Sequence, residues 1–230
     1  MVSKIKVKRL KLEKTSKEGL KIGTRSNGTK YSVRDDRSRY FYPDEWLKFM
    51  KSLREKNKLI FETLIQTGAR IDEALHIRPK DFDFDRKSLT LVVTKAKAKK
   101  GETVGRKRSF EVSSNYIKEV KKYISKNGIA NDEKLFSMSS QAAYQLLRRK
   151  LKEIKIEDWY NFSLHNIRKT HGMWLKTLME YSRSITESEI CLRLGHDFNT
   201  FLRHYGSPSV FTAQDKQMMI KILGDIYNLR

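Results

Sequence analysis

The chain has 230 residues, with 49 lysines and arginines against 27 aspartates and glutamates, a net charge of +22. That length buries a core without disulfides or a structural metal, the single cysteine, Cys191, cannot form an internal disulfide, and no apolar run approaches the roughly 20 residues that span a bilayer. The basic N-terminus lacks the apolar core of a signal peptide. A cytoplasmic protein is therefore expected, and so large a surplus of positive charge points to a polyanionic partner, nucleic acid before a membrane surface or a ribosomal assembly.

Residues 1–40 show no sustained helical period and read as a basic arm. Lys4, Lys6 and Lys8 alternate with Ile5 and Val7, as in a short edge strand, and Asn27-Gly28 is a turn signal that allows a small hairpin. From Pro43 the pattern becomes helical. Asp44 can cap a helix that places Trp46, Leu47, Met50 and Leu53 on one face, and a second helix carries Leu59, Ile60, Leu64 and Ile65 up to a terminal Gly68. A third, from Ile71 to Ile77, stops before Pro79. The period then switches: Ser88 to Thr94 is rich in β-branched residues and is followed by a turn bearing lysine and glycine, then a second strand over Arg108 to Val112. Helices are expected again over Ser114–Lys126, Ser140–Ile154, His165–Tyr181, Glu187–Leu194 and Thr212–Tyr227. The fold class is mainly α with one small antiparallel β-hairpin or sheet, an arm over residues 1–40 and a domain over 41–230.

Charge is concentrated in two places. Residues 1–42 carry 13 basic and 4 acidic side chains, and Lys95 to Arg108 carry seven and one. Strand alternation puts Lys95, Lys97 and Lys99 on one face of that second segment. Lys97, Lys99, Lys100, Arg106, Lys107 and Arg108 are expected to contact DNA phosphates.

Three short patterns could carry chemistry. In Thr67-Gly68-Ala69-Arg70-Ile71-Asp72-Glu73, Arg70 follows a helix-ending glycine, and Glu73 one turn later could hold its guanidinium. His165 and Arg168 lie three apart on a helix and so share a face. Leu194-Gly195-His196 precedes Tyr205 by nine residues, with Gly206 and Pro208 directly after it. Singly, each has an ordinary explanation: a surface ion pair, a chance spacing, a half-buried aromatic. Cys191 reads as core, and His76, His171 and His204 have no zinc-type spacing around them.

Taken in order, Arg70 in T-G-x-R-x-x-E, a lysine on the following hairpin, His165-x-x-Arg168, L-G-H ending at His196, and then Tyr205 resemble the signature of the tyrosine recombinases, the family of phage integrases and Xer-type resolvases. The resemblance covers residues 43–220 and implies that family's catalytic-domain fold, α+β in class. It further implies that Tyr205 attacks a backbone phosphate and forms a 3′-phosphotyrosine. Arg70 and Arg168 would clamp the non-bridging oxygens, where charge accumulates in the transition state. His165 would assist proton transfer, His196 would donate to a phosphate oxygen, Glu73 would support from behind, and Lys95 (or, second, Lys97) would protonate the departing oxygen. No metal and no cofactor is implied. The implied partner is double-stranded DNA, with a homotetramer assembled on it in the cytoplasm beside the nucleoid. The apolar C-terminal helix would dock on a neighbouring protomer, or pack in cis. Three features depart from the family's pattern: the basic arm where a helical core-binding domain is usual, a longer hairpin with Gly101 to Gly105, and an extra polar segment Tyr181–Ser188. A type IB topoisomerase-like enzyme and a catalytically silent DNA-binding protein are the competing readings.

Overall fold

The computed structural model describes residues 21–24, 30–33, 39–92, 107–181, 185–205 and 211–227. In the leading segment β1 (Lys21–Thr24) and β2 (Lys30–Val33) pair antiparallel, Lys21 opposite Val33, on either side of Asn27-Gly28. The alternating stretch from Lys4 to Lys8 lies outside the described residues.

The first helix, α1 (Pro43–Ser52), does not begin at an Asp44 cap. Tyr42 takes the cap position, Pro43 opens the first turn, and Glu45 reaches back to accept from the Tyr42 amide at 3.0 Å. Glu45 is preferred because it is also held by the buried Arg39, whose Nη2 donates to it at 2.6 Å. Leu47, expected inside, is 39% exposed, while Trp46 and Phe49 fill the core.

Helix α2 (Glu55–Thr67) ends at Gly68 in the left-handed conformation, φ 60°. Helix α3 (Ile71–Ala74) is a single turn, three residues shorter than expected, because the chain must leave helical geometry on its way to Pro79. The sheet then has three antiparallel strands rather than two: β3 (Phe82–Asp83), β4 (Ser88–Val92) and β5 (Lys107–Glu111), in that order. Two residues are too few for β3 to leave a period in the sequence. Along β5 the side chains alternate, Arg108 and Phe110 buried, Lys107, Ser109 and Glu111 exposed.

Six helices follow among the described residues. Ser113 caps α4 (Ser114–Asn127) and Ser139 caps α5 (Ser140–Glu153), each hydroxyl accepting from an amide of the first turn. Then come α6 (Leu164–Leu178), α7 (Glu187–Leu194) and α8 (Phe198–Tyr205), and last α9 (Ala213–Leu223). Helix α6 is the axis of the molecule. All its residues but His165 and Lys176 are buried, and α2, α5, α7, α8 and α9 pack on it. Asn166, Thr170 and Trp174 form a stripe four residues apart that satisfies the extended segment before α1. Asn166 Nδ2 donates to the Arg39 carbonyl at 2.8 Å, Thr170 Oγ1 accepts from the Phe41 amide at 3.0 Å, and Trp174 Nε1 donates to the Phe41 carbonyl at 3.1 Å. Arg39 and Tyr40 therefore already belong to the core-forming part. The described part of the C-terminal segment packs in cis: Met219 and Leu223 are fully buried, and Gln66 Nε2 donates to the Ile222 carbonyl at 2.7 Å. No helix among the described residues is long and apolar enough to cross a membrane.

His171 shows how tightly this axis is packed. Its Nδ1 donates to the Ile65 carbonyl at 2.6 Å, and complete burial, then the nearby Arg193, push its pKa down to about 3. The unfolded chain binds a proton here below about pH 6.5 while the folded one stays neutral, so stability falls as pH drops through that value. The expected slope from this residue is about 1.4 kcal/mol per pH unit between 6 and 4. Urea melts across that range should show it, and His171→Gln should lose one proton's share of the dependence.

Candidate active site

Gly68 sets the first corner. Any Cβ there would stand 2.5 Å from Cδ2 of His171, and the positive φ disfavours other residues as well. The turn delivers Arg70 to the start of α3, where Glu73 Oε2 accepts its amide at 2.8 Å and Oε1 its Nη1 at 2.9 Å. Arg70 keeps 29% of its side chain exposed, while that of Glu73 is wholly buried. Burial alone would raise the Glu73 pKa, but hydrogen bonds and charge from Arg108 and Arg70 outweigh it and hold the carboxyl below its ordinary range.

Arg168 lies at the centre. It is 1% exposed, and its Nη1 donates to the Gly68 carbonyl at 2.7 Å, its Nη2 to the Leu194 carbonyl and to His196 Nε2, the latter at 3.1 Å. Those carbonyls end α2 and α7, so two helix C-termini aim their negative ends at one cation. A buried guanidinium with no carboxylate paired to it among the described residues is tolerable on that account. Its pKa is pushed down to about 9 by burial, then by Arg70 and Arg108. Because an arginine only donates, His196 Nε2 must accept, which puts the ring hydrogen on Nδ1, a buried atom with no acceptor among the described residues.

His165 opens α6 with an exposed edge. Partial burial of its ring, then Lys169, Arg168 and Arg70, lower its pKa to about 4. Burial, then Arg168 and Arg70, take that of His196 to about 3. Both imidazoles are thus neutral at physiological pH, in a field that would welcome an anion.

Tyr205 is the last residue of α8, on a helix rather than in a loop, and is 1% exposed. Its ring lies near-parallel to His196, centroids 6.3 Å apart, and against Phe201 at 5.5 Å. It rests on the backbone of α6 at Gly172, where a Cβ would come within 2.7 Å of Tyr205 Cζ and 2.8 Å of Leu194 Cδ1. In an open helix Gly→Ala gains about 1 kcal/mol, but overpacking costs about 1–3 kcal/mol. Gly172→Ala is therefore expected to lose stability, by up to about 2 kcal/mol, and to shift the Tyr205 ring resonances. Thermal melts and ring-labelled NMR check both; a stabilised variant with an unmoved ring would contradict this seat.

The structure thus brings Arg70, Glu73, His165, Arg168, His196 and Tyr205 into one cluster. Lys95, Lys97, Lys99, Lys100 and Arg106 lie outside the described residues. Lys107 is exposed on β5, but Arg108 differs from expectation: it is 5% exposed, with its guanidinium on Glu73 rather than on the protein surface. Sequence reasoning missed Gly172, for which a glycine inside a helical pattern is the signal. It also missed His204 as a neighbour of the cluster, its ring 6.2 Å from that of His196. Tyr40 was missed too: its hydroxyl donates to the His204 carbonyl at 3.2 Å.

The phage integrase family model matches residues 39–205. No curated protein matches the chain. Among solved structures, the XerA recombinase is similar at 16% identity and a TM-score of 0.56, over 80% of this chain and 64% of that one. The XerH site-specific recombinase bound to its difH substrate, in a pre-cleavage complex, shares 18% identity at a TM-score of 0.57, over 80% and 56%. The catalytic domain of bacteriophage HP1 integrase shares 16% at 0.52, over 73% and 86%. At such identities the likeness establishes the fold, that of the tyrosine recombinase catalytic domain. The chain spans less than two thirds of the XerA and XerH chains.

Proposed function

The chain belongs to the phage integrase family, and from that premise we propose that it is a site-specific DNA recombinase whose nucleophile is Tyr205. The observation that carries this reading is the convergence of Arg70 at the start of α3, His165 and Arg168 of α6, and His196 in the turn after α7 around Tyr205 at the end of α8. Cations with one buried carboxylate among them form a site short of negative charge, and a DNA phosphate supplies it.

In this reading the Tyr205 hydroxyl attacks phosphorus in line, forming a 3′-phosphotyrosine and releasing a 5′-hydroxyl. Exchange then needs no external energy, since the bond broken is conserved in the one formed. Arg70 and Arg168 stabilise the charge that builds on the non-bridging oxygens. Neutral His165 is the group suited to accept the tyrosine proton, and His196 is a candidate donor to a phosphate oxygen. A lysine of the segment between β4 and β5, Lys95 or Lys97, protonates the leaving 5′-oxygen. Two guanidiniums neutralise the phosphate and a neutral imidazole donates to it, so the reading calls for neither metal nor ATP. The basic residues before Arg39 act as an arm on the same DNA, and the working form is a tetramer on two sites in the cytoplasm.

The test uses DNA spanning the flanks of the protein's own gene, incubated with it in EDTA and quenched in SDS. A covalent band, with digestion and mass spectrometry placing the nucleotide on Tyr205, is the expected result. No adduct on intact or nicked DNA despite tight binding would leave a binding protein. Relaxation of supercoiled plasmid by the monomer, without exchange between sites, would favour a topoisomerase.

A further inference from the structure

Arg108 sits on the buried face of β5, where the charge count alone would place a DNA contact. Its Nη2 donates to Glu73 Oε2 at 2.6 Å and its Nη1 to Oε1 at 3.3 Å. The same carboxylate accepts Arg70 Nη1 at 2.9 Å, so a wholly buried Glu73 is gripped from two sides. On its other flank Arg108 meets the turn after α7: a Cβ on Gly195 would stand 3.2 Å from Nη1, and the next residue is His196. One side chain thus touches the strand that closes the β4–β5 hairpin, the carboxylate that steers Arg70, and the turn that carries His196.

We propose that Arg108 is a positioning residue of the strand-transfer site, fixing Arg70 through Glu73 and the His196 turn through Gly195, and so tying both to the hairpin. The inference rests on the recombinase reading of the site. A fork is required because two oxygens are met by two nitrogens of one planar group; a lysine offers a single point. Without Arg108, Glu73 has only Arg70 to satisfy it and draws that guanidinium inward, away from the surface where a phosphate would meet it.

The experiment measures single-turnover adduct formation on a nicked site at saturating protein, with DNA affinity and melting temperature beside it. Arg108→Gln is expected to slow the step about 10²-fold, as misplacing a charge-stabilising group does. Affinity should stay within about threefold, the range expected when no DNA contact is lost. Arg108→Lys should recover only part of the rate. Arg108→Gln combined with Glu73→Gln should be no slower than the slower single variant, because both act through Arg70.

The pH profile separates positioning from a structural role. Glu73 faces Arg70, Arg108 from β5 and Arg168 from α6. With Arg108 gone, burial is less well opposed and Glu73 takes a proton at higher pH, so the rate should fall more steeply toward acid than in wild type. The double variant should lack that limb. A rate within threefold of wild type would overturn the proposal, as would a loss matched by collapsing affinity and melting temperature. Should the wild type itself make no adduct, the functional reading falls separately. The placement is then judged by the Arg70 Nε–Hε NMR signal, which must move in Arg108→Gln if Arg108 holds it and stays unchanged if it does not.

Discussion

Tyr205→Phe is expected to abolish covalent strand transfer while leaving fold and DNA affinity intact. The ring is what packs: it lies on Gly172, beside His196 and Phe201, and phenylalanine fills that space equally. Loss of the hydroxyl should cost no more than about 1 kcal/mol of stability, the worth of one hydrogen bond. Chemistry has no such tolerance, because without the oxygen no phosphoester can form. The rate should drop at least about 10⁴-fold, as when a covalent nucleophile is removed. SDS-resistant adduct, filter binding and melting temperature measure the three quantities on the same preparation. Adduct persisting above a percent or so of the wild-type level would sink the assignment. The tyrosine to examine next would be Tyr40, which is held to the His204 carbonyl one residue from Tyr205.

Much of this arrangement was legible because its parts obey local rules. Gly68, Gly128 and Gly195 end α2, α4 and α7 in the left-handed conformation, and a glycine after an apolar period announces such an end. Ser113 and Ser139 announce the starts of α4 and α5. What was misread came from competition between rules. Arg108 was counted with a cluster of cations, although its parity with Phe110 on a two-residue period already put it on the inner face. Burial won because Glu73 waits there with two acceptor oxygens. Asp44 looked like the better cap for α1, but the capping carboxylate also had to satisfy Arg39, and only Glu45 does both. The stripe of Asn166, Thr170 and Trp174 was visible as a period. What it binds, the backbone of residues 39–41, is a long-range fact that no local window contains.

The same logic sharpens the expectation for Arg168, whose loss should damage stability and chemistry in separable amounts. In the free protein its guanidinium bridges the carbonyl ends of α2 and α7 and holds His196 Nε2. Arg168→Gln can satisfy one of those carbonyls and leaves another unpaired, at about 1–3 kcal/mol. Arg168→Lys keeps the charge but offers one nitrogen to three acceptors, and should lose a similar amount. Rate is affected differently. Removing a preorganised donor to the transition-state oxygens costs about 10²–10³-fold, and removing its full charge from a buried site costs at least that. Gln should therefore fall below Lys in strand transfer although the two melt alike. A substrate with a methylphosphonate at the cleaved position isolates the electrostatic part, because one oxygen and its charge are gone before the enzyme acts. If Arg168 serves to neutralise that charge, the Gln variant should recover most of its deficit on the neutral substrate while wild type gains little. An equal deficit on both substrates would mean that Arg168 acts only by joining α2 to α7, and the clamp would then rest on Arg70 alone.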